Sequence, residues 1–287
     1  MKIGVFSVSM PDYGIEETVK ILHELGYDGV EWRVGEPAPE RKPYNYTYEN
    51  RYWTYNKSTL DIARITEIAG DVKKICDGYG IEIYSLTTYL TPWDTDRIER
   101  VMKAAVIIGC GNIRVFTPNY DGTENYRVLF DRVAEQTKVI EKMAGDYNVK
   151  VCYEIHMRNI IPSASAAYRL VSDFDPKYIG VIFDPGNMVH EGFENYRLGI
   201  ELLGDYLAYV HIKNAKWEMT GKDGHGSDIW EPRWTPLKKG YADLKKLCGD
   251  LRAAGYNGFL SVEDFSNEQE TYEKLKSNLE YLRAISM

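Results

Sequence analysis

The sequence predicts an α/β protein, a single (β/α)8 TIM barrel, because eight short strand-like segments alternate with about eight segments of helical spacing. The length of 287 residues, with 44% hydrophobic residues, suits one barrel, a fold that typically takes about 250 residues. No Gly/Ser-rich linker or change of composition divides the chain. One domain over residues 1–287 is therefore expected.

The eight predicted strands are short and rich in β-branched or aromatic residues. Several are apolar on both faces, which is typical of parallel strands covered by helices on one side and by a core on the other. In chain order the predicted strands are 2–8, 29–34, 81–87, 112–117, 149–155, 178–184, 208–213 and 258–264.

The predicted helices lie between these strands and carry apolar residues at helical spacing. Segment 14–29 has one such stripe and ends at Gly26, a residue that favours a helix end. Segment 94–111 begins near Asp94 or Asp96, either of which suits an N-cap. The other predicted helices are 58–80, 122–146, 162–175, 194–204, 240–255 and 267–286.

Two connections are too long for simple turns. Residues 35–57 follow the second strand and residues 214–239 follow the seventh, so both rise from the C-terminal face of the predicted barrel. Loops longer than about 12–15 residues are usually functional or disordered. The high aromatic content of both loops favours order.

Composition and cysteine spacing argue against several classes of partner. The formal charge of −8 does not favour binding to a nucleic-acid backbone. The four cysteines form no CxxC pair, which predicts buried reduced thiols rather than a zinc framework. The N-terminal residues lack the features of a signal peptide and no apolar run approaches the ~20 residues of a membrane span. We expect no membrane association and a cytoplasmic location.

Four consecutive strands end in groups able to bind a cation. The fifth offers Glu154, the sixth Asp184, the seventh His211 and the eighth Glu263. The carboxyl ends of barrel strands meet at one mouth, where three bare carboxylates would repel one another. One divalent cation removes that repulsion, with Mn²⁺ or Mg²⁺ favoured and Zn²⁺ or Co²⁺ tolerated. Taken alone, an Asp before Pro-Gly is more often a turn or cap residue.

The motifs "YEIH", "FDPGN", "HIKN" and "SVED", in this order, resemble those of the xylose isomerase-like TIM barrel superfamily of sugar isomerases and epimerases. The resemblance runs from "KIGVFS" at the N-terminus to "SVED". It implies a metal held by Glu154, Asp184, His211 and Glu263. It also implies an activity among ketose 3-epimerases, sugar-phosphate epimerases, inosose dehydratases or endonuclease IV-type DNA repair enzymes.

Three positions depart from the usual patterns of this superfamily. Asn187 stands where the ketose 3-epimerases and the DNA repair enzymes have His. Arg158 stands where a substrate-binding Glu is frequent, and Trp217 where Arg is frequent. These differences argue against the contacts of a ketose 3-epimerase and against an endonuclease IV-like enzyme.

The predicted reaction is a proton transfer beside a metal-polarised carbonyl of a small sugar or polyol. Glu154 and Glu263 lie on strands separated by two others, so they approach a substrate from different sides and suit an acid/base pair. Isomerisation or epimerisation is expected. Loss of a β-hydroxyl after the same proton abstraction would instead make the protein an inosose-type dehydratase. A homo-oligomer is compatible with either activity.

Five further residues are expected to contact the substrate. Lys213 follows His211 by two positions, so alternation along the strand points both side chains to one side. Lys213 is expected to bind a substrate oxygen, the alternative being a lysine that leaves the rim into solvent. His156 bears the same relation to Glu154, and it is expected to bind substrate or a neighbouring protein group. Glu31 and Arg33 share one parity on the second strand, and Asn187 follows the sixth.

The two long loops contain Trp53, Trp217, Trp230 and Trp234. Flat aromatic rings stack well against the C–H faces of sugars, but they also pack loops onto a barrel or onto a partner subunit. The sequence leaves both uses open. The run "GKDGHG" around His225 predicts a turn rather than a metal site.

Overall fold

A computed structural model describes residues 1–286 and contains a closed barrel of eight parallel strands. The strands are β1 (Lys2–Phe6), β2 (Gly29–Gly35), β3 (Leu60–Asp61), β4 (Glu82–Thr87), β5 (Asn112–Arg114), β6 (Lys150–Glu154), β7 (Ile179–Phe183), β8 (Leu207–Ile212), β9 (Asn214–Lys222), β10 (Asp228–Thr235) and β11 (Phe259–Val262). The barrel order is β1-β2-β4-β5-β6-β7-β8-β11, and β11 pairs back with β1. The predicted (β/α)8 TIM barrel is confirmed.

Within residues 1–286, eight helices surround the barrel and match the predicted segments with shifted ends, whereas two further short helices were not predicted. In chain order the helices are α1 (Ile15–Leu25), α2 (Arg51–Thr54), α3 (Ile65–Tyr79), α4 (Thr95–Ile108), α5 (Tyr126–Tyr147), α6 (Ala164–Val171), α7 (Pro185–His190), α8 (Tyr196–Leu203), α9 (Leu244–Ala253) and α10 (Thr271–Ser286). The two that were not predicted are α2 and α7. Helix α3 begins seven residues later than predicted from segment 58–80, because Leu60 and Asp61 pair with the end of β2.

The two long connections are ordered, and each carries secondary structure. The first contains the single turn α2. The second is an antiparallel hairpin of β9 and β10, which the sequence did not predict. The predicted turn around His225 forms its tip, where the His225 amide donates to Asp223 Oδ1 at 2.8 Å. Both connections stand over the C-terminal ends of the barrel strands.

The barrel interior is filled by side chains from alternate positions on the strands. Near its base the rings of Tyr84 and Phe259 stack with centroids 3.9 Å apart. Gly4 makes room for this pair, because a Cβ there would lie 2.4 Å from the Tyr84 ring. The opposite faces of the strands pack against the helices in the main apolar core. A rigid packed floor therefore supports the mouth.

The four cysteines are buried and free, as predicted. Burial raises the pKa of both Cys110 and Cys152 to about 12, so neither is a thiolate at neutral pH. Within residues 1–286, no helix combines the length and the apolar character that crossing a bilayer requires.

Candidate metal centre and active site

The four predicted ligands come together at the barrel mouth. Glu154, Asp184, His211 and Glu263 each offer one ligand atom, and these atoms lie within 4.8 Å of one another. His211 Nδ1 lies 3.0 Å from Glu154 Oε1 and 3.4 Å from oxygens of Asp184 and Glu263. All four side chains are buried. The imidazole nitrogen and the three carboxylates thus face a common point.

Asp184 has two roles at the end of β7. Its Oδ1 accepts a hydrogen bond from the Asn187 amide at 2.8 Å, which makes Asp184 the N-cap of α7. Its Oδ2 is fully buried and lies 2.9 Å from the Lys213 ammonium and 3.4 Å from His211 Nδ1. The cap interpretation therefore holds for one oxygen, and the other oxygen faces the common point of the predicted ligands.

Lys213 extends along the same side of the barrel as His211 and ends among the ligands. Its ammonium contacts Glu263 Oε2, and lies 2.9 Å from Asp184 Oδ2 and 3.7 Å from Glu154 Oε1. It is 2% exposed, so the interpretation of a solvated rim lysine is wrong. Gly186 makes this path possible, because a Cβ there would lie 2.3 Å from Lys213 Cγ.

The charges of the cluster fit a divalent cation. Four buried carboxylates face three buried basic groups: Glu31, Glu154, Asp184 and Glu263 against Arg114, His211 and Lys213. Burial opposes protonation of His211, but the carboxylates of Glu31, Glu154 and Glu263 raise its pKa well above the usual value. A divalent cation beside a neutral imidazole would balance all the charges, so metal binding is expected to release the imidazole proton.

Glu31 was expected to contact substrate, but it lies below His211, away from the mouth. Both of its oxygens are 3.1 Å from His211 Nε2. It also accepts hydrogen bonds from Tyr209 at 3.0 Å, Ser261 at 2.6 Å and Thr87. An Nε2–H donated to Glu31 leaves the Nδ1 lone pair directed at the carboxylates. Such a carboxylate partner fixes the tautomer of a metal-ligating histidine.

Glu154 is held more firmly than Glu263. Its Oε2 accepts from the Arg114 guanidinium, and its Oε1 accepts from Asn187 Nδ2 at 3.1 Å. Burial opposes its ionisation, but Arg114, His211 and Lys213 hold the pKa of Glu154 well below its usual range. Glu263 Oε2 contacts Lys213, and its Oε1 accepts no hydrogen bond within residues 1–286. The two carboxylates are therefore not equivalent.

The remaining predicted contacts lie around the mouth. Asn187 is buried, and it supports Glu154. His156 is half-buried, and its Nδ1 hydrogen-bonds with the Met157 carbonyl at 2.7 Å. Burial lowers the pKa of His156, which favours the neutral ring. Arg33 lies further out, donates to Thr59 and approaches the Tyr89 ring at 5.7 Å.

Arg114, at the end of β5, was not among the predicted site residues. Its guanidinium is 1% exposed, lies 4.4 Å from the centre of the Tyr89 ring and leaves Nη2 without a partner among the described residues. The sequence did carry a signal for Arg114, its position at the carboxyl end of a barrel strand. The same position had identified Glu154 as a candidate site residue. Arginines at strand ends are common, so only the contact with Glu154 distinguishes this one.

Aromatic side chains line the mouth above the ligands. The rings of Trp53, Tyr89, Phe116 and His156 follow one another with centroid separations of 5.9, 6.1 and 4.8 Å. On the other side His190 packs on Trp234 at 4.2 Å. Trp217 donates to the Val189 carbonyl and packs the hairpin onto α7, whereas Trp53 remains 45% exposed at the mouth.

A family model described as xylose isomerase-like TIM barrel matches residues 19–285. Among curated proteins, the inosose dehydratase of Lactiplantibacillus plantarum is 27% identical over 141 residues, which are 47% of this chain and 46% of that protein. The inosose dehydratase of Clostridium botulinum is 24% identical over 156 residues, 51% of each chain. The matched region spans about half the length of these relatives.

Solved structures share the fold over almost the whole chain. The 3-keto-D-glucoside 4-epimerase of E. coli, in its apo form, has a TM-score of 0.72 at 20% identity and covers 99% of both chains. A zinc-bound structure called IOLI protein has a TM-score of 0.72 at 14% identity, covering 100% of this chain and 98% of that one. At these identities the likeness is one of fold.

Proposed function

Since the chain belongs to the xylose isomerase-like TIM barrel family, we propose that it is a metal-dependent isomerase or epimerase of a small sugar or sugar derivative. One observation carries the proposal: three carboxylates and one imidazole from consecutive strands converge within 4.8 Å in a buried cluster. The names of the related proteins, several of which act on sugars or inososes, support the same substrate class.

Glu154, Asp184, His211 and Glu263 are proposed to hold one divalent cation. Three carboxylate oxygens and one imidazole suit Mn²⁺ or Mg²⁺, and they tolerate Zn²⁺ or Co²⁺. Glu31 is a positioning residue in this proposal, because it holds the imidazole through Nε2 and leaves Nδ1 for the cation.

When bound, the cation would polarise a substrate carbonyl and lower the pKa of the adjacent C–H. Glu263, whose Oε1 is open, is proposed to accept that proton, and Glu154 to return one from the other side. The Lys213 ammonium is proposed to bind the substrate oxygen that becomes negative. The aromatic side chains that line the mouth are proposed to keep water away from the reacting carbon.

A dehydratase of the inosose type is the second candidate, and the unequal environments of the two carboxylates favour it. Epimerisation by two bases needs both Glu154 and Glu263 to exchange protons, but Glu154 already pairs with Arg114 and Asn187. Elimination of a β-hydroxyl can use one carboxylate for both proton transfers: Glu263 would take the proton from carbon and then give it to the leaving hydroxyl, which departs as water.

Solvent deuterium tests the proposed reaction and separates the two candidates. We expect the Mn²⁺-loaded protein, incubated in D₂O with a panel of ketoses, keto-glycosides and inososes, to place deuterium at the carbon beside the carbonyl. An epimerase labels recovered substrate as well as product, whereas a dehydratase labels product and raises enone absorbance. Failure to exchange with any panel member, or metal-dependent incision of a DNA duplex with an abasic site, would contradict the sugar proposal.

Replacing Lys213 tests whether its ammonium and the cation compete for the same carboxylates. Lys213→Met leaves buried carboxylates uncompensated, so the metal-free protein is expected to lose about 3–5 kcal/mol of stability. Added Mn²⁺ should then raise Tm more in this variant than in the wild type, and calorimetry should give a lower Kd. Lys216→Met removes a charge that pairs with Glu218 on the hairpin surface and should change neither quantity. An unchanged Kd in Lys213→Met would contradict the competition.

A further inference from the structure

A second pocket lies beside the metal centre and plays no part in the proposed proton transfer. It has a volume of about 460 Å³, within the range of about 300–1,000 Å³ that small-molecule pockets occupy. Three segments form it: the connection after β2, strand β10 of the hairpin and the segment after β11. Each segment follows a strand that also contributes to the mouth.

The pocket has an aromatic floor. Phe265 lies between two tryptophans, with its ring centre 5.0 Å from Trp53 and 5.7 Å from Trp234. Trp53 presents 45% of its surface to solvent. Within residues 1–286, neither indole N–H donates a hydrogen bond to a protein group, so both remain available to a ligand.

The rim of the pocket is polar. Glu49 and Arg233 are exposed on opposite walls, and the Glu49 carboxylate accepts no hydrogen bond within the described part of the chain. Asn267 uses Oδ1 to accept from Arg51 at 2.6 Å and from Tyr52 at 3.1 Å, which fixes the amide and leaves its Nδ2 free to donate. Donors and acceptors therefore surround a flat aromatic surface.

The floor of the pocket is continuous with the metal centre. The Lys213 ammonium, which contacts the ligand carboxylates, lies 5.2 Å from the ring centre of Trp234 and 5.6 Å from that of Phe265. These two rings therefore lie next to the metal centre and also line the pocket, so a ligand bound at the metal centre would be adjacent to it.

We propose that this pocket binds the second ring of a glycoside, so that the substrate is a sugar carrying a further sugar unit. The inference rests on the proposed function, because it extends the substrate of that site. Flat rings stack against the C–H faces of a pyranose, and a rim of carboxylate, amide and guanidinium groups matches its hydroxyls. A purely apolar aglycone would leave the Glu49 carboxylate without a hydrogen-bond partner, whereas Arg233 already pairs with Glu231.

The test compares a one-ring probe with two-ring probes. In saturating Mn²⁺, calorimetry with methyl glucoside and with the α- and β-linked glucobioses should find a glucobiose that binds at least about tenfold tighter. Glu49→Ala should remove most of this gain while changing the methyl glucoside affinity by less than about twofold. Trp53→Ala should also remove the gain and, because Trp53 lines the mouth as well, should weaken the binding of methyl glucoside. Glu49 is exposed and makes no side-chain hydrogen bond within residues 1–286, so its variant is expected to fold.

Trp230→Ala provides the matched control, because Trp230 is 53% exposed on the same strand β10 but outside the pocket. It should leave both affinities unchanged. Equal affinities for one-ring and two-ring probes, or a gain insensitive to both pocket variants, would overturn the assignment while leaving the deuterium result intact. Tighter glucobiose binding through Trp53 without deuterium exchange by any sugar would support the pocket and contradict the proposed reaction.

Discussion

Turnover is expected to fall by about 10²–10⁴-fold, the usual contribution of a general acid or base, when Glu154 or Glu263 is replaced by glutamine. The amide keeps an oxygen that touches the cation but cannot accept a proton. Metal should therefore be retained at least in part, as measured by metal analysis of each variant. Loss of solvent-deuterium uptake should accompany the loss of turnover, because both depend on the same proton transfer.

The carboxylate prediction has a matched control at the mouth. Glu191 is exposed and accepts from the Arg158 amide at 2.8 Å, outside the ligand cluster, so Glu191→Gln should leave turnover unchanged. If turnover falls much less in Glu154→Gln than in Glu263→Gln, the result favours the single-base dehydratase over the epimerase. Near-normal turnover in both glutamine variants would require the two-carboxylate mechanism to be abandoned.

The second large effect is expected on metal content. The protein should bind about one divalent cation per chain, since the cluster offers one set of four ligands. Asp184→Ala and His211→Ala should each lose it, because each removes one of four ligands from a buried site. Atomic absorption after purification in Mn²⁺ measures the occupancy, and the Mn²⁺-dependent rise in Tm measures it independently of activity.

Asp184→Ala also removes the N-cap of α7, which costs about 1 kcal/mol by itself. Asp243→Ala separates the two effects, because Asp243 caps α9 by accepting from the Lys246 amide at 2.9 Å and lies outside the ligand cluster. It should lower stability and leave metal content unchanged. Full occupancy in both Asp184→Ala and His211→Ala would contradict the ligand assignment.

The sequence predicted the barrel and the acidic and histidine side chains that cluster at four strand ends because both depend on local patterns. Strand and helix periodicity follow from a few neighbouring residues, and eight alternations leave few alternative folds. The helix α7 and the hairpin of β9 and β10 were not predicted. The cap formed by Asp184 was recognised only as an alternative to the ligand. Strand β10 is mostly exposed and β9 is half-buried or exposed from Lys216 onward, so neither has an alternating buried face to impose a pattern.

What only the tertiary structure decided is the depth of each inward side chain in the barrel. Glu31 and Arg33 share a parity on β2, but the stagger of the strands, with a register shift between Val30 and Glu31, sets one below His211 and the other at the rim. The same stagger brings Lys213 among the ligands and Arg114 against Glu154. Alternation along a strand determines which side chains point inward, whereas pairing between strands determines which of them meet.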